Sequence, residues 1–261
     1  MGIVNATPDS FSDGGEAFAV DDAIRRGLAM AEAGADILDV GGESTRPGAE
    51  PVGIEEECRR VLPVVKALSQ AGAVVSIDTR HARTMAEAIG AGARIVNDVT
   101  ALEGDSESLS VVAVSDVAVI LMHMKGDPRT MQRDPRYGDV VAEVRDYLAS
   151  RVAACEKAGI GRNRIAVDPG IGFGKTVEHN LALIAGLAEF RDVAAAVVLG
   201  ASRKSFIGKL SKGEDAKHRL GGSLAAVLAG KAAGADIVRV HDVAETIQAI
   251  EVWDAIAEHR R

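Results

Sequence analysis

Gly34-Ala35-Asp36-Ile37-Leu38-Asp39-Val40 reads as the end of a helix followed at once by a strand. The glycine suits the left-handed position that closes a helix. The apolar run after it is too short for another helix and lacks the strict alternation of a half-exposed strand. The same arrangement returns at Gly92-Ala93-Arg94-Ile95-Val96-Asn97-Asp98 and at Gly234-Ala235-Asp236-Ile237-Val238-Arg239-Val240-His241. Five further short apolar runs, at 2–5, 73–78, 117–123, 164–168 and 196–202, are built alike and end on polar residues. Together these predict eight strands covered on both faces, as in parallel sheets. Amphipathic stretches lie between them: Val20, Ile24, Gly27, Leu28 and Ala31; then Cys58, Val61, Leu62, Val65 and Leu68; then Val140, Val144, Leu148 and Val152. Pro63 falls inside the second and is expected to kink it.

This alternation runs through all 261 residues without a compositional break. It predicts an α/β protein with one domain over residues 1–261, a (β/α)8 TIM barrel of parallel strands with its active site at the C-terminal strand ends. No Gly-x-Gly-x-x-Gly follows the first strand, which argues against an open dinucleotide-binding sheet. Hydrophobic residues make up 47% and charged residues 26%, which excludes disorder, coiled coil and collagen. Thirty Lys and Arg against 38 Asp and Glu give a net charge of -8, so the global basic field that nucleic acid or anionic lipid needs is missing. The two cysteines, Cys58 and Cys155, stand far from any zinc-type spacing and read as reduced, buried thiols. The beginning of the chain lacks a charged leader, and no run of membrane-spanning length occurs, so a cytoplasmic protein is expected.

The strand ends carry Asn5, Asp39, Asp78, Asn97 with Asp98, His123, Asp168, Ser202 with Arg203 and Lys204, and Arg239 with His241. Any one of them could cap a helix or pair with a neighbour. A whole ring of such groups is costly to bury unless it serves a ligand. The long segments 6–15 and 41–49, rich in turn formers and carrying Phe, Arg and Asp, read as lids.

At this point five blocks resemble, in order and nearly end to end, the signatures of dihydropteroate synthase. They are Asn5-Ala6-Thr7-Pro8-Asp9-Ser10-Phe11-Ser12-Asp13-Gly14-Gly15, Gly41-Gly42-Glu43-Ser44-Thr45-Arg46-Pro47-Gly48, Asp168-Pro169-Gly170-Ile171-Gly172-Phe173-Gly174-Lys175, Ser202-Arg203-Lys204-Ser205-Phe206 and Arg239-Val240-His241-Asp242. The resemblance implies an enzyme that joins 6-hydroxymethyl-7,8-dihydropterin pyrophosphate to p-aminobenzoate, releasing pyrophosphate. It implies pterin contacts from Asp78, Asn97, Asp168 and Lys204, with the Asp168 carboxylate accepting two hydrogen bonds from the ring edge. Pyrophosphate falls to Asn5, Arg46, Arg239 and His241, and p-aminobenzoate to Phe11, Thr45, Pro47, Phe173 and Ser205. Asn5 is the residue linked to a magnesium cofactor, which would bind mainly through substrate phosphates and water.

No serine-histidine-carboxylate pattern or placed cysteine offers a protein nucleophile. The implied path is SN1-like: pyrophosphate leaves first, with Asp13 near the resulting cation, and Lys204, Arg239 and His241 complete the catalytic group. A homodimer and inhibition by sulfonamides are further family expectations. Family members usually have additional residues before the first strand, so a less well covered barrel floor is expected. A methyltransferase acting on methyltetrahydrofolate, or a non-catalytic pterin-binding paralogue, are the competing readings.

Overall fold

The computed structural model describes residues 1–6, 16–43, 52–127 and 130–259, without the side chains of 16–18. In chain order the elements are β1 (Gly2–Asn5), α1 (Glu16–Glu32), β2 (Ile37–Gly41), α2 (Ile54–Gln70), β3 (Val74–Asp78), α3 (Ala82–Gly90), β4 (Ile95–Asp98), α4 (Ser108–Ala113), β5 (Ala118–Met122), α5 (Val140–Lys157), β6 (Ile165–Asp168), α6 (Val177–Ala185), β7 (Ala196–Leu199), α7 (Ser205–Leu210), α8 (Leu220–Ala233), β8 (Ile237–Val238) and α9 (Val243–Glu258). The eight strands pair in sequential order, every pair parallel. The ring closes just beyond β8, where Ile3 N donates to Val240 O at 2.9 Å and Val240 N to Met1 O at 3.0 Å. This is the expected (β/α)8 barrel. Among the described residues no helix is long and apolar enough to cross a membrane.

The repeated glycine does what its position requires. Gly34, Gly92 and Gly234 have φ of 98°, 112° and 107°, and a Cβ on Gly92 would lie 2.3 Å from Ser69 Oγ. Each strand then alternates. Leu38, Val40, Val75, Ile77, Val96, Val119, Leu121, Val167 and Leu199 face outward and pack with helix residues such as Val61, Leu68, Met85 and Leu148 in the main core. Completely burying a side chain of this size contributes about 1.5–3 kcal/mol. Ile37, Ile95, Ile120, Ala166, Val198 and Ile237 face inward and meet Met1 in a second cluster inside the barrel.

Above that apolar plug the inward positions turn polar. Asp39 is in register with Ser76, and one layer higher Asn5, Gly41, Asp78 and Asn97 line up across β1 to β4. The register thus brings four strand-end positions into one plane.

Two local expectations change. Pro63 is contained within a continuous α2. It lies on the exposed face, where water can serve the carbonyl left without an N–H donor. Leu28 was expected in the apolar stripe of α1 but is 41% exposed, whereas Ala23 and Gly27 are buried. A Cβ on Gly27 would lie 2.8 Å from Leu68, so α1 approaches α2 on its glycine and turns Leu28 outward. Both cysteines are buried free thiols, as read.

Candidate active site

Inward-facing side chains at the C-terminal strand ends make one polar cluster. Arg239, just beyond β8, reaches across the barrel mouth: its Nε donates to Asp39 Oδ2 and its Nη2 to Asp78 Oδ2, both at 2.6 Å. Asn97 Nδ2 donates to the same Asp39 oxygen at 3.1 Å. Asp39 is completely buried, and its Oδ1 has no partner among the described residues. Burial pushes the Asp78 carboxyl up to about 7; Arg239 opposes the rise and the charge of Asp39 adds to it. Burial acts downward on the Arg239 guanidinium, but Asp39 and Asp78 outweigh it and hold the proton more firmly than usual.

The opposite side of the mouth is arranged differently. Asp168, at the end of β6, accepts from Gly170 N–H at 2.7 Å. Its carboxyl is raised by burial, against the pull of that hydrogen bond and of Lys204 and Arg239. Lys204, after β7, places Nζ 4.0 Å from the centroid of the Phe173 ring, a cation–π contact. Burial, with the charge of Arg239, lowers Lys204 to about 8, while Asp168 and Asp78 oppose the drop. Asp168 and Lys204 form no direct ion pair.

His241 follows Arg239, and its Nδ1 lies 3.0 Å from Ser202 Oγ. Ser205 opens α7 and is exposed, whereas Phe206 belongs to the main core. Arg203 has a left-handed φ of 58° and bonds Asp242, with Nε 3.0 Å from Oδ2, so it shapes the turn that presents Lys204. Phe11, Asp13, Thr45, Arg46 and Pro47 lie outside the described residues.

Two strand-end residues do not join the ring. Asp98 is one residue past the inward Asn97 and turns out, accepting from Thr100 N at 2.7 Å and Leu102 N at 3.0 Å. His123 likewise follows the β5 register outward and meets Lys175, with Nδ1 3.0 Å from Nζ. Conversely, Asp39 received no role from the sequence, yet it is the carboxylate that joins Arg239 to Asn97. Its signal was period two: Asp39 shares its face with Gly41, at the mouth.

A family model described as pterin binding enzyme matches residues 1–241. Dihydropteroate synthase of Escherichia coli K12 is 47% identical over 256 residues, covering 98% of this chain and 90% of the relative. This chain belongs to the dihydropteroate synthase family. Its fold agrees with that of solved dihydropteroate synthases. The Xanthomonas albilineans enzyme with 4-aminobenzoic acid superposes with a TM-score of 0.92 at 47% identity, covering 98% of this chain and 92% of the other. The Burkholderia cenocepacia dihydropteroate synthase complexed with 7,8-dihydropteroate gives a TM-score of 0.90 at 44% identity, covering 100% and 92%.

Proposed function

We propose that this chain condenses 6-hydroxymethyl-7,8-dihydropterin pyrophosphate with p-aminobenzoate to give 7,8-dihydropteroate and pyrophosphate, a step of folate biosynthesis. The observation that carries this reading is the polar mouth itself, with buried Asp168 and Asn97 and half-buried Asp78 on one barrel rim and the cations Lys204 and Arg239 beside them. A flat ring bearing both donors and acceptors can satisfy such a frame, whereas an apolar ligand would leave its polar groups buried and unpaired.

Asp168 accepts from the amide and amino N–H groups of the pterin edge, and those donors offset the burial that raises its carboxyl. Lys204 meets the ring carbonyl, and Asp78 and Asn97 complete the frame. Arg239, kept charged by two carboxylates, and His241 receive the pyrophosphate. The methylene carbon–oxygen bond breaks with its electron pair leaving on pyrophosphate, and the pterin ring spreads the resulting positive charge. The aniline nitrogen of p-aminobenzoate then bonds to the methylene carbon and loses a proton. Phe173, the Lys204 stem and Ser205 border the slot for that second substrate. Phe11, Asp13, Thr45, Arg46 and Pro47 complete the site in this reading.

Asn5 ends β1 half-buried in the same layer as Asp78 and Asn97, and it offers one neutral oxygen. That donor set fits a magnesium ion held mostly by substrate oxygens and water. Such an ion would neutralise charge on the departing pyrophosphate. The protein is read as a cytoplasmic homodimer, a state that sedimentation can check.

The test is turnover: the purified protein, given both substrates and magnesium, should form dihydropteroate and pyrophosphate in equal amounts. Pterin binding without product would favour a non-catalytic paralogue. Methyl transfer from methyltetrahydrofolate, with no dihydropteroate formed, would favour the methyltransferase.

A further inference from the structure

Lys175 has no place in the reaction described above, yet it is one of the most deeply placed charged groups in the molecule, with 3% exposure. It ends the segment Gly170-Ile171-Gly172-Phe173-Gly174-Lys175 and turns back under Phe173. Its Nζ lies 2.9 Å from Phe173 O, 3.0 Å from His123 Nδ1 and 3.3 Å from His123 O. Three acceptors match the three N–H bonds of an ammonium. His123 can serve as an acceptor only when neutral, with its proton on Nε2. Burial, with the neighbouring Lys175 charge, holds it neutral by pushing its pKa down to about 3. Burial also lowers Lys175 to about 7, against the pull of Asp168.

The same segment is pressed onto the chain leaving β5. A Cβ on Gly170 would lie 1.9 Å from His123 O, and one on Gly174 would lie 2.2 Å from Lys125 O. Tyr137 OH donates to Gly174 O at 2.9 Å, and Asn180 Oδ1 accepts from Gly172 N at 2.7 Å. These contacts hold the residues on either side of Phe173. Lys175 holds the Phe173 carbonyl itself and ties it to the end of β5.

We infer that Lys175 is a positioning residue for p-aminobenzoate: by clamping the Phe173 backbone to His123 it fixes the Phe173 ring against Lys204, and so sets the wall of the slot. The inference rests on the reading that Phe173 borders that slot. Lys175 touches neither substrate, so its removal should move one kinetic constant and spare the others.

The experiment is steady-state kinetics on the intact protein with each substrate varied in turn. Lys175→Met keeps the stem and removes the donors, and it should raise KM for p-aminobenzoate about tenfold, the scale of leaving buried acceptors unpaired. KM for pterin pyrophosphate and kcat should stay unchanged. Phe173→Ala alone should raise the same KM. Adding Lys175→Met to it should then have no further effect, because a residue that acts through a ring cannot act without it. If Lys175→Met fails to fold, Lys175→Gln, which retains two N–H donors, should fold and show a smaller rise in the same constant.

Equal losses in both KM values, a loss confined to kcat, additive effects in the double variant, or an unaltered Lys175→Gln enzyme would each overturn the inference. An unchanged KM for p-aminobenzoate in Phe173→Ala would overturn the slot assignment first, and the role of Lys175 with it.

Discussion

The two sides of the barrel mouth manage buried charge in opposite ways. On the β2, β3 and β8 side, Arg239 lies between Asp39 and Asp78 with both contacts at 2.6 Å. On the β6 and β7 side, Asp168, Lys175 and Lys204 are held by backbone groups, a ring face and a neutral imidazole. The paired side is preorganised before any ligand arrives. The other keeps its charged forms under strain from burial, raising Asp168 and lowering both lysines. Substrate hydrogen bonds to Asp168 and Lys204 therefore relieve a cost already present, which suits a region that must grip one ring tightly and then release it, while Lys175 keeps its own partners throughout.

The strongest way to break the contrast is to delete one charge on each side. Arg239→Ala, Asp168→Asn and Lys204→Ala should each remove most turnover, at about 2–5 kcal/mol of lost stabilisation. Only Arg239→Ala should also destabilise the fold markedly, by about 3–5 kcal/mol, because it leaves the buried Asp39 and the half-buried Asp78 without their cation. Asp168→Asn should melt at or above the temperature of the unaltered protein. Equal melting losses in both variants would erase the distinction.

A second test is the pH dependence of unfolding in the ligand-free protein. The folded Asp78 carboxyl is raised to about 7 from an ordinary 3.8. Between those values the unfolded chain has already lost the proton that the folded state keeps. Its contribution is therefore full below the lower value and disappears as pH rises through about 7. Lys175 and Lys204 are lowered from 10.5 to about 7 and about 8, so the unfolded chain binds more protons over that interval. Their contribution to stability is present above the upper value and lost as pH falls toward neutrality. Denaturant titrations should show Asp78→Asn flattening the acid limb of the stability curve and Lys175→Met flattening the alkaline limb. Swapped effects would refute the assignment of the acid limb to the raised carboxyls, Asp78 and Asp168, and of the alkaline limb to the two lysines.

Binding order sharpens the comparison further. Calorimetry should find p-aminobenzoate binding weakly to the free protein and more tightly once pyrophosphate and magnesium are present, since coupling between sites requires differential affinity. Sulfamethoxazole should compete with p-aminobenzoate, because both present a flat aniline ring to the slot that Phe173 and Ser205 border. Equal p-aminobenzoate affinity in both states, or full activity in a large excess of the drug, would contradict these two expectations.

The smallest effect expected lies away from both sides, on α1. Leu28→Ser should change stability by no more than about 0.5 kcal/mol, as for an exposed position. Gly27→Ala should cost more, because its new Cβ would meet Leu68 at 2.8 Å. A thermal melt of each variant decides which face of α1 is buried.

The barrel was legible because two independent signals coincide at each strand: a glycine that must take positive φ, and a β-branched run too short for a helix. The site was legible as a ring of polar ends, and the alternation within each strand decides its actual membership. Asn97 and Asp98 are adjacent in sequence but face opposite ways, so Asp98 caps a turn while Asn97 joins Asp39. His123, one residue past the inward Met122, faces outward for the same reason and meets Lys175. The expected face of α1 holds at Val20, Ile24, Gly27 and Ala31 and fails only at Leu28, since apolar periodicity marks a stripe but does not fix its edge. The part played by Asp39 depends on a partner far along the chain, which local pattern does not disclose.

That long separation bears on how the molecule assembles. The Arg239–Asp39 contact joins residues 200 positions apart, at the seam where β1 meets the chain leaving β8. During synthesis, β2 and β3 emerge long before the guanidinium that neutralises their carboxylates, so a nascent partial barrel carries two acidic groups with no reason to go dry. Closure of the ring and completion of the catalytic site should then coincide as one late event, governed by the slow search for distant contacts. Chains halted before Arg239 should expose their incompleteness as hydrated, loosely ordered ends, the kind of surface that cellular quality control detects.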